Sequence, residues 1–247
     1  MAGEQQLPSP PGYGPIVPLD RDAHRGLGVR ENPGFAAGLH AVYLTAIEIL
    51  RAARDYPIVF ARDAGNSWFP MTLTGLQAGR NLFVSNGGAW RTGCYVPAYV
   101  RRHPFCTVLA RREPEPQVVV CVEQAALDAG APALFDADGK PTANWLRYEK
   151  LIQEMESARQ ATERFTASIA EHNLLEPFEA HAHPAGGQPL HVKGLFRVSE
   201  ARLNKLPGKA VKALMTRGEL SRIYAHLLSL DNFANLLDLH AATQRAA

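Results

Sequence analysis

The segment "GAWRTGCYVPAYVRRHPF", Gly88 to Phe105, concentrates the side chains best suited to recognition. Trp90, Tyr95, Tyr99 and Phe105 alternate there with Arg91, Arg101, Arg102 and His103. From Gly88 to Arg112 there are five arginines and no Asp or Glu, a local charge of +5 with His103 neutral. Guanidinium forks bind carboxylate or phosphate bidentately, and aromatic rings beside them stack on a base or an amino-acid side chain. The chemistry expected is capture of a small anionic ligand or a peptide segment by Trp90, Arg91, Tyr95, Tyr99, Arg101 and Arg102. The plainer alternative is that these arginines pair with acids elsewhere while the rings belong to the core. Nucleic acid is not expected, because no sustained basic stripe accompanies the patch.

Other constellations are weaker. His181, His183 and His191 include an H-x-H pair, a spacing that metals use, but they sit beside Pro184, Gly186 and Gly187 in a stretch that reads as a loop. A metal needs three or four converging ligands, so none is expected here. "LFDADG" lacks the acidic spacing of a calcium loop and reads as an Asp-Gly turn. "GNSWF" lacks the second glycine of a nucleophile elbow, and "GYGPIV" the third glycine of a dinucleotide fingerprint. No cofactor is expected. Glu48, just before "YPIVF", becomes a general acid or base only if buried; a solvated helix face is the ordinary place for it.

Composition narrows the class. The chain has 247 residues, 46% hydrophobic and 20% charged, which suits a folded protein rather than a disordered one. A formal net charge of +2 gives no global attraction for polyanions, so an anion site must be a local patch. The most apolar run, "AVYLTAIEIL", is short and broken by Glu48, so no membrane span is expected. The first twenty residues lack the basic start and apolar centre of a secretory signal, and a cytoplasmic location is expected. Cys94, Cys106 and Cys121 have no C-x-x-C spacing, and two lie in apolar strand-like contexts that favour buried free thiols.

The elements that must position the aromatic–arginine segment follow from periodicity. Residues 1–34 alternate prolines and glycines and read as an arm, flexible by default, although "YGPIVPLD" fits an extended path along a sheet edge. Residues 35–247 read as one domain. "HAVYLT", "YPIVFAR" and "WFPMTLTGL" read as strands, the last two forming a hairpin, with "AIEILRAARD" a short helix. Pro97 opens and Pro104 ends one or two helical turns. "FCTVLAR" and "QVVVCVE" make a second hairpin across "REPEP". Thr142 caps a long helix to about Asn173 whose Trp145, Tyr148, Ile152, Met155, Thr162, Phe165 and Ile169 share one face. "HVKGLFRVS" returns as a strand and the end is helical. The fold class expected is α+β: an antiparallel sheet of about five to seven strands from the first half, packed by helices mainly from the second.

The ordered motifs "YPIVF", "GLQAGRNLFV", "W…YVPAYVRRHPF", "LFDADGKPT", "GLFRVSEARLNKL" and "GELSRIYAHLLSL" resemble the SapC family of bacterial proteins across residues 16 to 235. That family takes its name from a gene in a surface-layer cluster. Its members are often encoded near TonB-dependent receptors, tryptophan-halogenase-like flavoproteins and cupin-like proteins. The resemblance implies an accessory role in nutrient uptake or in modifying a small molecule or peptide, with a protein partner encoded nearby. It carries no catalytic residues over.

Three functional expectations result. The first is a non-catalytic binding or accessory protein holding an anionic small molecule or peptide. The second is an enzyme acting on an amino acid or peptide with a flavoprotein partner, its titratable groups drawn from Glu48, Tyr99 and His103. The third is a surface-layer component exported by a nonclassical route.

Overall fold

The computed structural model describes residues 7–110, 117–182 and 190–245. Its first half holds β1 (Ile16–Pro18), β2 (Gly28–Val29), β3 (Ala41–Tyr43), α1 (Ile49–Ala52), β4 (Ile58–Arg62) and β5 (Trp68–Leu73). Next come α2 (Ala98–Arg101), β6 (Phe105–Ala110), β7 (Gln117–Glu123) and β8 (Leu127–Asp128). The second half holds α3 (Ala143–Glu171), β9 (Leu175–Ala182), β10 (Leu190–Val198), α4 (Glu200–Leu203), α5 (Gly208–Thr216), α6 (Glu219–Ser229) and α7 (Asn232–Arg245). The fold is α+β, with antiparallel sheets and helices mostly in the second half.

The strands divide into sheets of five, three and two, ordered β3-β5-β4-β10-β9, β1-β7-β6 and β2-β8. The expected hairpins form in register, Phe60 opposite Pro70 in one and Cys106 opposite Cys121 in the other. The turn "REPEP" of the second lies outside the described residues. Two strands of the largest sheet come from the second half. β9 has no clear strand signature, because Glu176, Pro177 and Glu179 interrupt its apolar residues. It lies at the sheet edge, where a missing N–H and exposed charges are tolerated. The residues 7–34 of the arm are built into the fold: β1 pairs with β7, Val17 opposite Val122, so the extended path along a sheet edge is the one taken.

The long helix α3 ties the sheets together. Thr142 Oγ1 accepts from the Trp145 N–H, the N-cap expected from the sequence. All seven residues of the expected stripe are buried. Its first turns set Trp145, Tyr148 and Ile152 against Phe105 and Val122 of the small sheet. Its last turns set Phe165 and Ile169 into the larger core with Tyr56, Phe60, Leu214 and Ile223. Truncating a buried phenylalanine such as Phe165 to alanine costs about 3–5 kcal/mol.

The largest sheet has one thin seam. Between β4 and β10 the register holds a single directly opposed pair, Phe60 and Phe196. Helix α6 completes it with polar groups. The fully buried His226 presents Nδ1 to the Ile58 carbonyl at 2.9 Å, and its Nε2 accepts from the Val198 N–H at 3.0 Å. These partners fix the tautomer: a carbonyl only accepts and an N–H only donates, so Nδ1 carries the proton. Ser229 Oγ accepts from the Ile58 N–H and donates to the His226 carbonyl. Burial pushes the His226 pKa down to about 4, against the opposing pull of the Ile58 carbonyl.

Candidate functional site

The segment from Gly88 to Phe105 runs between the large sheet and the arm, and two carboxylates anchor it, one buried and one partly buried. The first is Glu48, which is 4% exposed. Its Oε2 accepts from the Thr45 N–H (2.9 Å) and hydroxyl (2.6 Å), and its Oε1 from the Tyr95 hydroxyl (2.9 Å) and the Ala98 N–H (2.7 Å). The solvated helix face expected for Glu48 is therefore not where it lies. The local signal is Thr45-x-x-Glu48, the spacing of a capping box, in which the glutamate turns back to the threonine N–H. The contacts across to Tyr95 and Ala98 are tertiary and leave no trace in local sequence.

Above Glu48 the chain is pinned by hydrogen bonds. The Tyr95 N–H donates to Asp55 Oδ2 at 2.7 Å, and its carbonyl accepts from the Tyr56 hydroxyl at 2.5 Å. Trp90 Nε1 donates to that same hydroxyl at 2.9 Å, and the Trp90 ring touches two of the core clusters. Burial, then the neighbouring Glu48 carboxylate, push the Tyr95 phenol up to about 12, so it remains a donor. Arg101 is exposed; its Nε donates to the Val96 carbonyl and its Nη2 reaches the Tyr95 hydroxyl at 3.4 Å.

The second carboxylate, Glu123 on β7, faces the arm. Its Oε2 meets His103 Nε2 at 2.6 Å and its Oε1 accepts from the Gly14 N–H at 2.8 Å. A Cβ at Gly14 would sit 2.7 Å from that oxygen and displace the carboxylate, so glycine lets the arm come this close. His103 stacks on Phe35 at 3.9 Å and abuts Tyr13 at 5.0 Å. Burial lowers the His103 pKa, with Glu123 opposing. Tyr99 donates to the Pro11 carbonyl at 2.6 Å, and burial pushes its phenol up to about 12. The Arg102 guanidinium covers the Tyr99 ring at 4.7 Å.

The six expected binding residues thus occupy three settings. Trp90, Tyr95 and Arg101 belong to the Glu48 side, and Tyr99 and Arg102 to the arm side. Arg91 is exposed on a cleft of about 380 Å³ that also holds Arg54, Asp55, Phe83, Cys94, Asn235, Asp238 and Leu239. Arg102 lines a different, smaller cavity. Arg111 and Arg112 lie outside the described residues. The three titratable groups considered for catalysis each meet separate partners: Glu48 the Tyr95 hydroxyl, Tyr99 the Pro11 carbonyl, His103 the Glu123 carboxylate.

The histidines expected in a loop are placed otherwise. His181 on β9 and His191 on β10 are opposed in register, while His183 lies outside the described residues. Among the described residues no group of three or more His, Cys, Asp or Glu converges as a metal site would require. The "DADG" segment is the turn expected, with Asp136 Oδ1 accepting from the Asp138 and Lys140 N–H groups. No helix among the described residues is long and apolar enough to cross a membrane.

The Arg91 cleft combines both charge signs over an apolar floor. Arg54, Arg91 and Asp238 form no ion pair or side-chain hydrogen bond with another described residue, while Asp55 is fixed by the Tyr95 N–H. Two guanidinium groups and two carboxylates suit a ligand bearing a carboxylate and an ammonium. No curated protein and no solved structure matches this chain. The sequence model of the SapC family matches residues 19–236, nearly the whole length, and the chain belongs to that family.

Proposed function

We propose that this protein is a non-catalytic accessory protein that holds an anionic small molecule or peptide segment, engaged through its carboxylate in the Arg91 cleft. The observation that carries this reading is the pair Arg54 and Arg91, without ion-pair partners among the described residues, on a cleft about 380 Å³ in size beside Asp55 and Asp238. The near balance of charge favours an amino acid or a peptide end over a phosphate. Arg101, exposed beside Tyr95, is the second contact from the same segment. Trp90 and Tyr95 stiffen the segment beside the cleft through Tyr56, Asp55 and Glu48, while Tyr99 and Arg102 hold its far end to the arm. The link to nutrient-uptake or surface-layer systems rests on family membership alone.

Equilibrium binding of short peptides with free and with amidated C-termini tests the reading. Free-acid peptides are expected to bind, amidation to weaken them at least about tenfold, and R54A/R91A to abolish the difference, since each lost charge-assisted bond is worth about 1.5–3 kcal/mol. Equal binding of amidated and free peptides, or none of either, would refute the carboxylate as the recognised group.

A further inference from the structure

Two of the three cysteines face one another. Cys106 on β6 and Cys121 on β7 are directly opposed in the antiparallel ladder, both free and both fully buried. Opposed residues in such a ladder have Cα atoms about 4.5–5.5 Å apart. A disulfide closes over Cα separations of about 4.4–6.8 Å. Packing accounts for a small apolar side chain at each position, but not for what lies beside them.

Cys106 lines a partly enclosed cavity of about 40 Å³ together with Arg102, Thr107, Tyr43 and Met155. One water needs about 10–15 Å³ of such space, so the cavity admits a molecule of two or three heavy atoms, roughly. The Nε of Arg102 is buried with no hydrogen-bond partner, while its guanidinium is held over Tyr99. A buried N–H without an acceptor is a standing cost that an entering acceptor relieves. The two thiols are also unequal. The neighbouring Cys121 thiol and then the nearby Arg102 charge draw Cys106 below the ordinary thiol range, against burial. Cys121 is pushed up, first by Cys106 and then by burial.

We infer that Cys106 and Cys121 form a dithiol site that a small hydroperoxide, entering beside Arg102, oxidises to a cross-strand disulfide. The Cys106 sulfur attacks one peroxide oxygen; the O–O bond breaks, an S–O bond forms, and the second oxygen leaves as water with the thiol proton. The Cys121 sulfur then attacks the Cys106 sulfur; the S–O bond breaks, the S–S bond forms, and hydroxide leaves as water with the Cys121 proton. Two thiols are oxidised by two electrons and one hydrogen peroxide is reduced to two waters. Arg102 acts as a positioning residue, its Nε–H directed to the peroxide and its charge favouring the attacking thiolate. The resulting bond would lock β6 to β7 at the level where β7 also holds Pro18 of the arm.

The test is a hydrogen peroxide titration of the full-length protein, followed by alkylation and non-reducing peptide mapping. The expected product is a Cys106–Cys121-linked peptide with a mass loss of about 2 Da, while Cys94 remains open to alkylation. C121S is expected to stop at a Cys106 sulfenic acid, read as a gain of about 16 Da in the mass of the intact protein. R102M is expected to slow disulfide formation about tenfold, its fold verified by near-ultraviolet circular dichroism. The wild-type map needs no variant, so a poorly folded C121S leaves the test intact. Cys106 and Cys121 both remaining thiols at peroxide doses that oxidise Cys94 would overturn the inference, as would an unchanged rate in a folded R102M.

Discussion

The two sides of the Gly88–Phe105 segment are held by the same kind of group in different ways. On the sheet side Glu48 is saturated by four donors that all belong to the fold. On the arm side Glu123 divides its oxygens between a histidine and the arm backbone. The first arrangement fixes the start of α2 against the core, since Ala98 and Tyr95 both reach Glu48. The second makes the arm part of the domain, because Gly14 and His103 share one carboxylate. A short segment rich in aromatics and arginines is therefore a junction first. On the proposed function, recognition falls to residues that neither carboxylate recruits, Arg91 above all.

The largest expected effect falls on the sheet side. E48A leaves the Thr45 N–H and hydroxyl, the Tyr95 hydroxyl and the Ala98 N–H without their acceptor. At roughly 1 kcal/mol or more for each buried orphan, the loss is about 4 kcal/mol in a denaturant melt. A loss under about 1 kcal/mol would mean that Glu48 is not an anchor.

Acid should weaken the sheet side next, through the β4–β10 seam. An unfolded histidine takes up a proton below about pH 6.5. His226 resists until about pH 4, because it is buried between Ile58 and Val198. A folded pKa below the unfolded one means that the full contribution is present above pH 6.5 and is lost as pH falls toward 4. The slope is about 1.4 kcal/mol per pH unit, near 3 kcal/mol in all. Melts at pH 7 and pH 4.5 should show this difference in the wild type and much less of it in H226N. Equal slopes in the two proteins would contradict it.

The arm side should respond less. G14A places a Cβ against Glu123 Oε1 and should cost about 1–2 kcal/mol. It should also raise hydrogen exchange in β1 without affecting β4 or β5, because the clash is confined to the arm and the Glu123 side chain. Exchange rising equally in both sheets would erase the contrast between the sides. Smallest of all is R54A/R91A: both side chains are exposed, and stability should change by no more than about 0.5 kcal/mol.

What was legible in the sequence was what periodicity controls. The α3 stripe, the Thr142 cap, both hairpins and the Pro97–Pro104 helical turns all depend on residues a few positions apart. β9 was hidden because an edge strand tolerates Pro177 and two glutamates, which erase the period-two signal. His226 was invisible as a sheet component, since its partners Ile58 and Val198 lie 168 and 28 residues away in sequence. For the candidate site, the aromatic and basic content was plain from composition. Which arginine faces a cleft depended on where Glu48, Glu123 and α7 come to rest, and no local pattern encodes that. Arg54, Asp55 and Asp238 were missed for the same reason: they join Arg91 only in the folded chain.

The most direct test of the central claim is native mass spectrometry of the protein purified gently from its own host. The account predicts a reproducible extra mass that R54A/R91A loses while its melting temperature stays where it was. An extra mass retained by R54A/R91A, or a bare polypeptide mass in the wild type that added free-acid peptides leave unchanged, would contradict it.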